Sequence, residues 1–135
     1  QGPRLLVNEQ VDVGLLVIAG VNSTMHGADL RAALKGLPPR KPLLLLRHEG
    51  DSLANDRPPP ERSVLALAGH THGGQILLPF LGSPGEWKLG EPLCRRGFCQ
   101  LNGWPVLVTS GVGTSWLPLR INVPPEMVLI TLVAG

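Results

Sequence analysis

Aromatic residues are scarce in this chain of 135 residues, making up only 4% of it, and tyrosine is absent. Charged residues are also few, at 16%, whereas 43% of the residues are hydrophobic, which excludes an intrinsically disordered chain. The longest apolar runs, at residues 43–46 and 127–134, are far shorter than the ~18 residues that a membrane-spanning helix needs. The net charge of the chain is only +2, and the basic residues are scattered along the sequence, which argues against nucleic-acid binding through bulk charge.

Cysteine is nearly absent as well. Cys94 and Cys99 stand five residues apart, so they could form a disulfide only across a hairpin or a tight loop. Two cysteines in a chain of this length do not make a disulfide scaffold, and we therefore expect free thiols. A Cys-x4-Cys spacing without a second matched pair is also a weak zinc signal.

The start of the chain, Gln1-Gly2-Pro3, has no initiator methionine, no basic region and no apolar core of a signal peptide. It does not look like a native translation start. We expect the chain to be a piece of a longer protein.

Glycine and proline, in contrast, are abundant, with 17 and 14 copies, and this favours many turns and short strands over a bundle of long helices. The length allows one hydrophobic core. Apolar runs predict strands, an amphipathic segment predicts one short helix, and Asn102-Gly103 between two apolar runs predicts a β-hairpin. The predicted strands are residues 12–20, 43–46, 63–68, 98–101, 105–109 and 127–133, and the helix is residues 28–36. The pattern predicts an α/β fold in which apolar strands end in polar tips.

Histidines stand at two of these tips. His70 and His72 flank Thr71 directly after the strand at 63–68, with glycine on both sides, a spacing that lets two imidazoles serve a metal site. His48 follows the preceding strand. If the two strands are parallel neighbours, His48 lies beside His70 at the same sheet edge. His48 by itself is more typical of a solvated side chain, and His26 has no partner at ligand spacing and is expected at the surface.

The string Leu67-Ala68-Gly69-His70-Thr71-His72-Gly73-Gly74-Gln75 resembles the C-terminal signature of calcineurin-like metallophosphoesterases. It is most similar to the branch of membrane-associated or exported phosphodiesterases that carries L-A-G-H-T-H-G-G-Q. The resemblance extends to a glycine turn at residues 109–115, a Pro-x-Arg segment at 118–120 and Pro-Pro-Glu at 124–126. It reaches back to residues 7–9, 18–21 and the predicted helix, and so covers nearly the whole chain.

This resemblance implies the C-terminal half of a layered α-β-β-α sandwich, with a mixed sheet and a hairpin, so that residues 1–135 form one incomplete domain. It implies a binuclear metal centre of Mn, Fe or Zn that hydrolyses a phosphomonoester or phosphodiester, with His48 and His70 on one metal and His72 on the other. Residues 47–51 and 21–23 depart from the family's pattern, which has Ser-His-Asn-Pro-Asp and an Asp-containing loop there.

Such enzymes supply the rest of the site from an N-terminal half, through an Asp-x-His pair, a Gly-Asp with the bridging aspartate, and Gly-Asn-His-Glu. The chain has no counterpart of that half. The expected partners are therefore a phosphoester substrate and the missing half, in cis or in trans. A membrane-associated or extracytoplasmic location is also implied, and it would depend on segments outside this chain. Alone, the chain is expected to be inactive or weakly active.

Two other hypotheses about the function of the chain stay open. One is a non-catalytic truncated homologue or interaction fragment. The other is a mononuclear zinc hydrolase that uses His48, His70 and His72 plus water. Metal stoichiometry separates the three hypotheses, since they require two ions, none and one, respectively.

Overall fold

The computed structural model describes residues 2–133, apart from the side chains of residues 88 and 89. One mixed sheet of six strands organises it, in the order β1-β2-β3-β4-β6-β5. Its strands are β1 (Glu9–Asp12), β2 (Val17–Val21), β3 (Leu43–Arg47), β4 (Val64–Ala68), β5 (Gly97–Leu101) and β6 (Trp104–Val108). Two short helices, α1 (Leu30–Ala33) and α2 (Pro84–Leu89), accompany three 3₁₀ helices: Thr24–His26, Gly50–Asn55 and His72–Gly74. The predicted α/β class with a mixed sheet and a hairpin is confirmed.

The four central strands, β2, β3, β4 and β6, run parallel. Both edges are antiparallel hairpins, β1 with β2 and β5 with β6. The predicted Asn-Gly hairpin is confirmed, because Asn102 and Gly103 take positive φ angles of 47° and 91°, as a tight two-residue hairpin turn requires. Parallel central strands bring their carboxyl ends to one edge of the sheet, which is where ligands bind in open α/β folds.

One side of the sheet, here called the covered face, is buried beneath α1 and the 3₁₀ helix Gly50–Asn55. Leu53 of that helix and Trp104 of β6 are both completely buried. The helix approaches closely because small residues face it: a Cβ on Gly50 would lie 3.2 Å from the Cβ of Ala68. Asp29 caps the N-terminus of α1 by accepting a hydrogen bond from the Ala32 N–H, so the helix begins at Leu30. It ends at Ala33 and is therefore shorter than the predicted 28–36.

The opposite side, here called the open face, is also apolar, since alternate strand residues such as Ile18, Leu44, Leu65 and Leu107 point there. Phe98 on this face is 76% exposed and Leu46 is 38% exposed. Residues near the two ends of the described chain line two grooves against the strands, residues 4–6 in one and residues 126–128 and 130 in the other. Layered β folds normally cover an apolar sheet face of this kind with a second layer.

Two predicted strands are wrong. Residues 12–20 do not form one strand, because the chain turns between β1 and β2, where Gly14 takes φ 93° and its N–H donates to Asp12 Oδ1. Residues 127–133 form no strand, since they have no ladder partner among the described residues. An apolar β-branched run favours extended backbone, but a strand also needs a neighbour to pair with.

The expectation of free thiols is wrong as well, because Cys94 and Cys99 form a disulfide. The chain turns just before β5, and this brings the two Cα atoms to 6.1 Å, within disulfide range. The bridge also removes both sulfurs from any zinc site. No helix in the described part of the chain is long and apolar enough to cross a membrane.

The difference between the two faces predicts unequal mutational costs. Leu53→Ala removes a fully buried side chain from the covered face, so we expect it to lower the free energy of unfolding by about 2–5 kcal/mol. Leu46→Ala removes a partly exposed side chain from the open face, and the expected loss is at most about 1 kcal/mol. Urea unfolding of the two variants measures this. Equal losses would mean that something covers both faces alike in solution.

Candidate metal centre

The imidazoles of His48 and His70 meet at the carboxyl edge of the sheet. Their strands, β3 and β4, are parallel and paired in register up to Leu46 and Leu67, so the residues that follow emerge side by side. His70 Nδ1 lies 3.0 Å from His48 Nε2, and the two ring centroids are 4.8 Å apart. The predicted juxtaposition of His48 and His70 at one sheet edge is confirmed.

The spacing of these two nitrogens suits a single ion. Two nitrogens that each lie 2.0–2.1 Å from one metal are about 3.0 Å apart when the angle at the metal is near 90°. Glu49 completes a group of three, because one ligand atom from each of His48, Glu49 and His70 lies within 4.8 Å of the others. Two imidazoles and a carboxylate are donors that Mn, Fe and Zn accept. The residues present therefore fit a divalent ion.

The Glu49 carboxylate is held on the side facing the loop before α1. Its Oε1 accepts from the Ser23 hydroxyl at 2.6 Å, and its Oε2 accepts from the Thr24 N–H at 3.0 Å. Partial burial acts to raise the pKa of Glu49, but these hydrogen bonds outweigh it, so the pKa lies below its ordinary value. The group beside the imidazole pair is thus an anion at neutral pH.

From the sequence, Glu49 is only part of the departure from the family's pattern at residues 47–51. The signal that could have found it is its position directly after His48, at a strand tip where three polar groups converge. Gly50-Asp51 has the same two residues as the family's Gly-Asp motif, but Asp51 does not belong to the group around the imidazole pair. Its carboxylate accepts hydrogen bonds from the N–H groups of Leu93 and Cys94. That contact fastens the disulfide loop to the body of the domain.

The backbone is strained at both histidines of the His70-Thr71-His72 string. His70 has φ 71° and His72 has φ 50°, in the left-handed region that non-glycine residues rarely enter. Such residues cluster at functional sites, where the surrounding structure holds them. Thr71 helps to hold this backbone in place, since its hydroxyl donates a hydrogen bond at 2.6 Å to the Arg95 carbonyl, in the loop closed by the Cys94–Cys99 disulfide.

Gly73 is explained by packing. A Cβ at this position would lie 2.8 Å from Val123 Cγ1 and 2.9 Å from Ser110 Cβ, both too close for a side chain. Gly73 therefore leaves room for both of these side chains. Its bare Cα lets the C-terminal segment pack under His72.

His72 points elsewhere. Its Nδ1 lies 3.4 Å from the Gly113 carbonyl oxygen, and it does not belong to the group formed by His48, Glu49 and His70. Two of the three predicted ligands, His48 and His70, therefore lie together, and the third, His72, lies beside a different loop. His26 is exposed at the end of a 3₁₀ helix, where its carbonyl accepts from the Asn22 amide, as expected of a surface residue.

Glu126 holds the loop next to His72. Its carboxylate accepts from the Ser110 N–H and from the Thr109 hydroxyl, each at 3.0 Å. The Ser110 N–H, followed by the Thr109 hydroxyl, lowers the pKa of Glu126 below its ordinary value. Because these bonds favour the ionised form, the loop is held best when Glu126 is charged.

Comparison with known proteins finds several relatives of this chain. The chain is 35% identical over 122 residues to the uncharacterized metallophosphoesterase YkuE of Bacillus subtilis, a match that covers 90% of this chain and 42% of that protein. It is 32% identical over 145 residues to an uncharacterized metallophosphoesterase of Aquifex aeolicus, covering 97% and 51%. The chain belongs to the metallophosphoesterase family. It corresponds to a C-terminal region and spans about half, or less, of the length of these relatives.

A third relative has a name that states an activity. The chain is 36% identical over 95 residues to phosphodiesterase YaeI of Escherichia coli, a match covering 68% of this chain and 33% of that protein. No family model and no solved structure matches the chain. Membership of the family implies divalent metal ions.

Backbone strain at His70 predicts an unusual effect of glycine. His70→Gly is expected to be more stable than His70→Ala by about 1 kcal/mol, because glycine adopts positive φ without steric cost. At His26, which lies in a 3₁₀ helix, the order should reverse, with glycine less stable than alanine. Thermal unfolding of the four variants without metal measures both pairs. The same order at both positions would show that His70 is not strained.

The lowered pKa of Glu126 predicts loss of stability in acid. A carboxylate with a depressed folded-state pKa contributes stability above its unfolded pKa, about 4.5, and loses it as the pH falls through the folded value. We expect Glu126→Gln to be less stable than wild type near pH 7 and to change less with pH below about 4.5. Urea unfolding between pH 3 and 7 measures this. Glu61→Gln, which removes only an exposed ion pair with Arg40, is the control and should follow the wild-type curve.

Proposed function

We propose that this region supplies histidine ligands to a binuclear metal centre that hydrolyses phosphoesters. His48 and His70 serve one ion, and His72 serves a second. The observation that carries the proposal is the 3.0 Å separation of His70 Nδ1 and His48 Nε2, at the sheet edge where the family signature places its histidines. Strain at both His70 and His72 supports a site whose geometry matters more than local backbone energy.

Bound divalent ions supply Lewis acidity toward the phosphoryl oxygens and a hydroxide nucleophile at neutral pH. The task of this chain is to present unprotonated ring nitrogens in the right places. His48 Nε2 and His70 Nδ1 must both be free of protons to bind one ion, so loading releases any proton that they share. Glu49 adds an anion next to the pair and offsets part of the ion's charge.

The site is incomplete in this chain. Three imidazoles and one carboxylate provide at most half of the ligands of two ions, and two close cations repel strongly without an anionic bridge. We propose that an N-terminal half, in cis or in trans, supplies the bridging aspartate and packs its sheet on the open face. The apolar residues there, including Phe98 and Leu46, support this pairing because exposed apolar faces of this kind are normally covered.

The substrate class is a phosphodiester or a phosphomonoester, and the name of YaeI favours the diester. The ion pair is drawn from Mn, Fe and Zn, given imidazole and carboxylate donors. A membrane-associated or extracytoplasmic location stays a prediction from the resemblance.

One alternative is favoured by a specific observation. His48, Glu49 and His70 form a two-histidine, one-glutamate group, the ligand set of several mononuclear zinc hydrolases, with a position open for water. In that case Glu49, rather than His72, is the third ligand. A single bound ion per chain, with no loss of affinity in His72→Ala, would favour this alternative.

Activity tests the proposal directly. Alone, the chain should hydrolyse bis-nitrophenyl phosphate only negligibly, even with excess Mn²⁺, because it lacks the bridging aspartate and the histidine of Gly-Asn-His-Glu, which in the family helps the leaving group. A general acid or base alone contributes ~10²- to 10⁴-fold. Adding an N-terminal half that carries the Asp-x-His, Gly-Asp and Gly-Asn-His strings should restore turnover.

In the reconstituted protein, His70→Ala or His72→Ala should abolish turnover, whereas His26→Ala, at the exposed surface, should leave it unchanged. Robust turnover by the isolated chain that depends on His48 and His70 would favour the mononuclear alternative. Turnover that survives substitution of all three histidines would overturn the proposal, and absence of metal binding even after reconstitution would favour a non-catalytic fragment.

A further inference from the structure

Arg120 occupies the centre of the loops around His72. It belongs to the Pro-x-Arg segment, which the proposed ligand set leaves without a role. Its guanidinium donates only to backbone carbonyls, and no acidic side chain pairs with it among the described residues. The acceptors are the carbonyl oxygens of His72, Ser110, Gly111, Gly113 and Val123, at distances from 2.6 to 3.4 Å.

The tightest of these contacts is the one that matters for His72. Arg120 Nη2 donates to the Gly113 oxygen at 2.6 Å, and Nε donates to the same oxygen at 3.2 Å. That oxygen is also the acceptor that faces His72 Nδ1, at 3.4 Å. Arg120 therefore holds in place the acceptor that the imidazole uses.

The loop of residues 109–115 would not hold the Gly113 carbonyl in place by itself. It is rich in glycine, and Gly111 takes φ 64°, so its backbone has many accessible conformations when unrestrained. A planar guanidinium with five N–H donors can gather several carbonyls at once, which a lysine ammonium with three donors on a flexible stem cannot reproduce.

A fixed carbonyl beside Nδ1 determines which nitrogen carries the proton. A carbonyl only accepts, so a hydrogen bond between these two atoms requires Nδ1 to be the donor and leaves Nε2 with its lone pair. Histidines that bind metals generally donate their other ring N–H to such an acceptor, and this partner fixes both tautomer and ring orientation. His70 is arranged the other way, since its Nδ1 faces His48.

We propose that Arg120 is a positioning residue that sets the tautomer of His72, so that the ring presents Nε2 to a metal ion. The inference rests on the proposed function for the role of Nε2, but the tautomer is a property of the chain itself. Two histidines separated by one residue then present different nitrogens, Nδ1 from His70 and Nε2 from His72.

Nuclear magnetic resonance tests the tautomer without metal or substrate. Long-range ¹H–¹⁵N correlation spectra of the neutral imidazoles should show His72 with its proton on Nδ1 in the wild-type chain. In Arg120→Lys, which keeps the charge but loses the planar fork, His72 should shift toward the tautomer mixture of an unrestrained histidine. The matched control is Arg62→Lys: Arg62 donates to the carbonyls of Pro38 and Lys41, away from His72, and the variant should keep the wild-type spectrum of His72.

A wild-type His72 that carries its proton on Nε2 would overturn the proposal, and this holds even if Arg120→Lys fails to fold. An unchanged His72 tautomer in a folded Arg120→Lys variant would overturn it as well.

Zinc titration distinguishes a failure of the tautomer proposal from a failure of the proposed function. Loss of an outer partner of this kind costs about 10- to 100-fold in affinity, so Arg120→Lys should bind Zn²⁺ at His72 at least about 10-fold more weakly. If His72→Ala leaves Zn²⁺ binding unchanged in the reconstituted protein, the proposed function fails at His72 while the tautomer result stands.

Discussion

The parallel pairing of β3 with β4 is the constraint on which the candidate metal centre depends. Their register aligns Leu46 with Leu67, so the two chains leave the sheet at the same edge and in the same direction. This is what places His48 Nε2 and His70 Nδ1 3.0 Å apart although 22 residues separate them in sequence. A shift of one residue would turn the strand faces over and separate the rings. Leu45 and Ala66 are completely buried on the covered face, so their packing fixes this register and with it the positions of the two rings.

The strands that carry histidines could be predicted from sequence because apolar runs at residues 43–46 and 63–68 stop abruptly at polar residues. The hairpin at Asn102-Gly103 could be predicted because its turn chemistry is local. The failures involve information that is not local. Residues 127–133 have strand composition but no partner, and the Cys94–Cys99 disulfide depends on a turn that spacing alone does not reveal. Glu49 was missed for the same reason, since its fixed orientation comes from Ser23 and Thr24, on a separate loop.

Two halves of the site differ in how they are built. His48, Glu49 and His70 meet through the sheet, whereas His72 is held by contacts from the C-terminal segment, through Gly113 and the packing of Val123 on Gly73. Both arrangements converge on one strained stretch of backbone at His70 and His72. The open face borders this edge of the sheet. One of its two grooves is lined by His48, and both are lined by Thr109. A partner that covers this face would close the site as well as the core.

Anomalous diffraction is the most direct test that His48 and His70 share an ion. Crystals of the chain soaked in Zn²⁺ would be measured on both sides of the zinc absorption edge. Our account predicts a peak about 2.0–2.1 Å from both His48 Nε2 and His70 Nδ1, with the Glu49 carboxylate nearby. Zinc bound elsewhere on the chain, with these two nitrogens still in contact and without a peak between them, would contradict it.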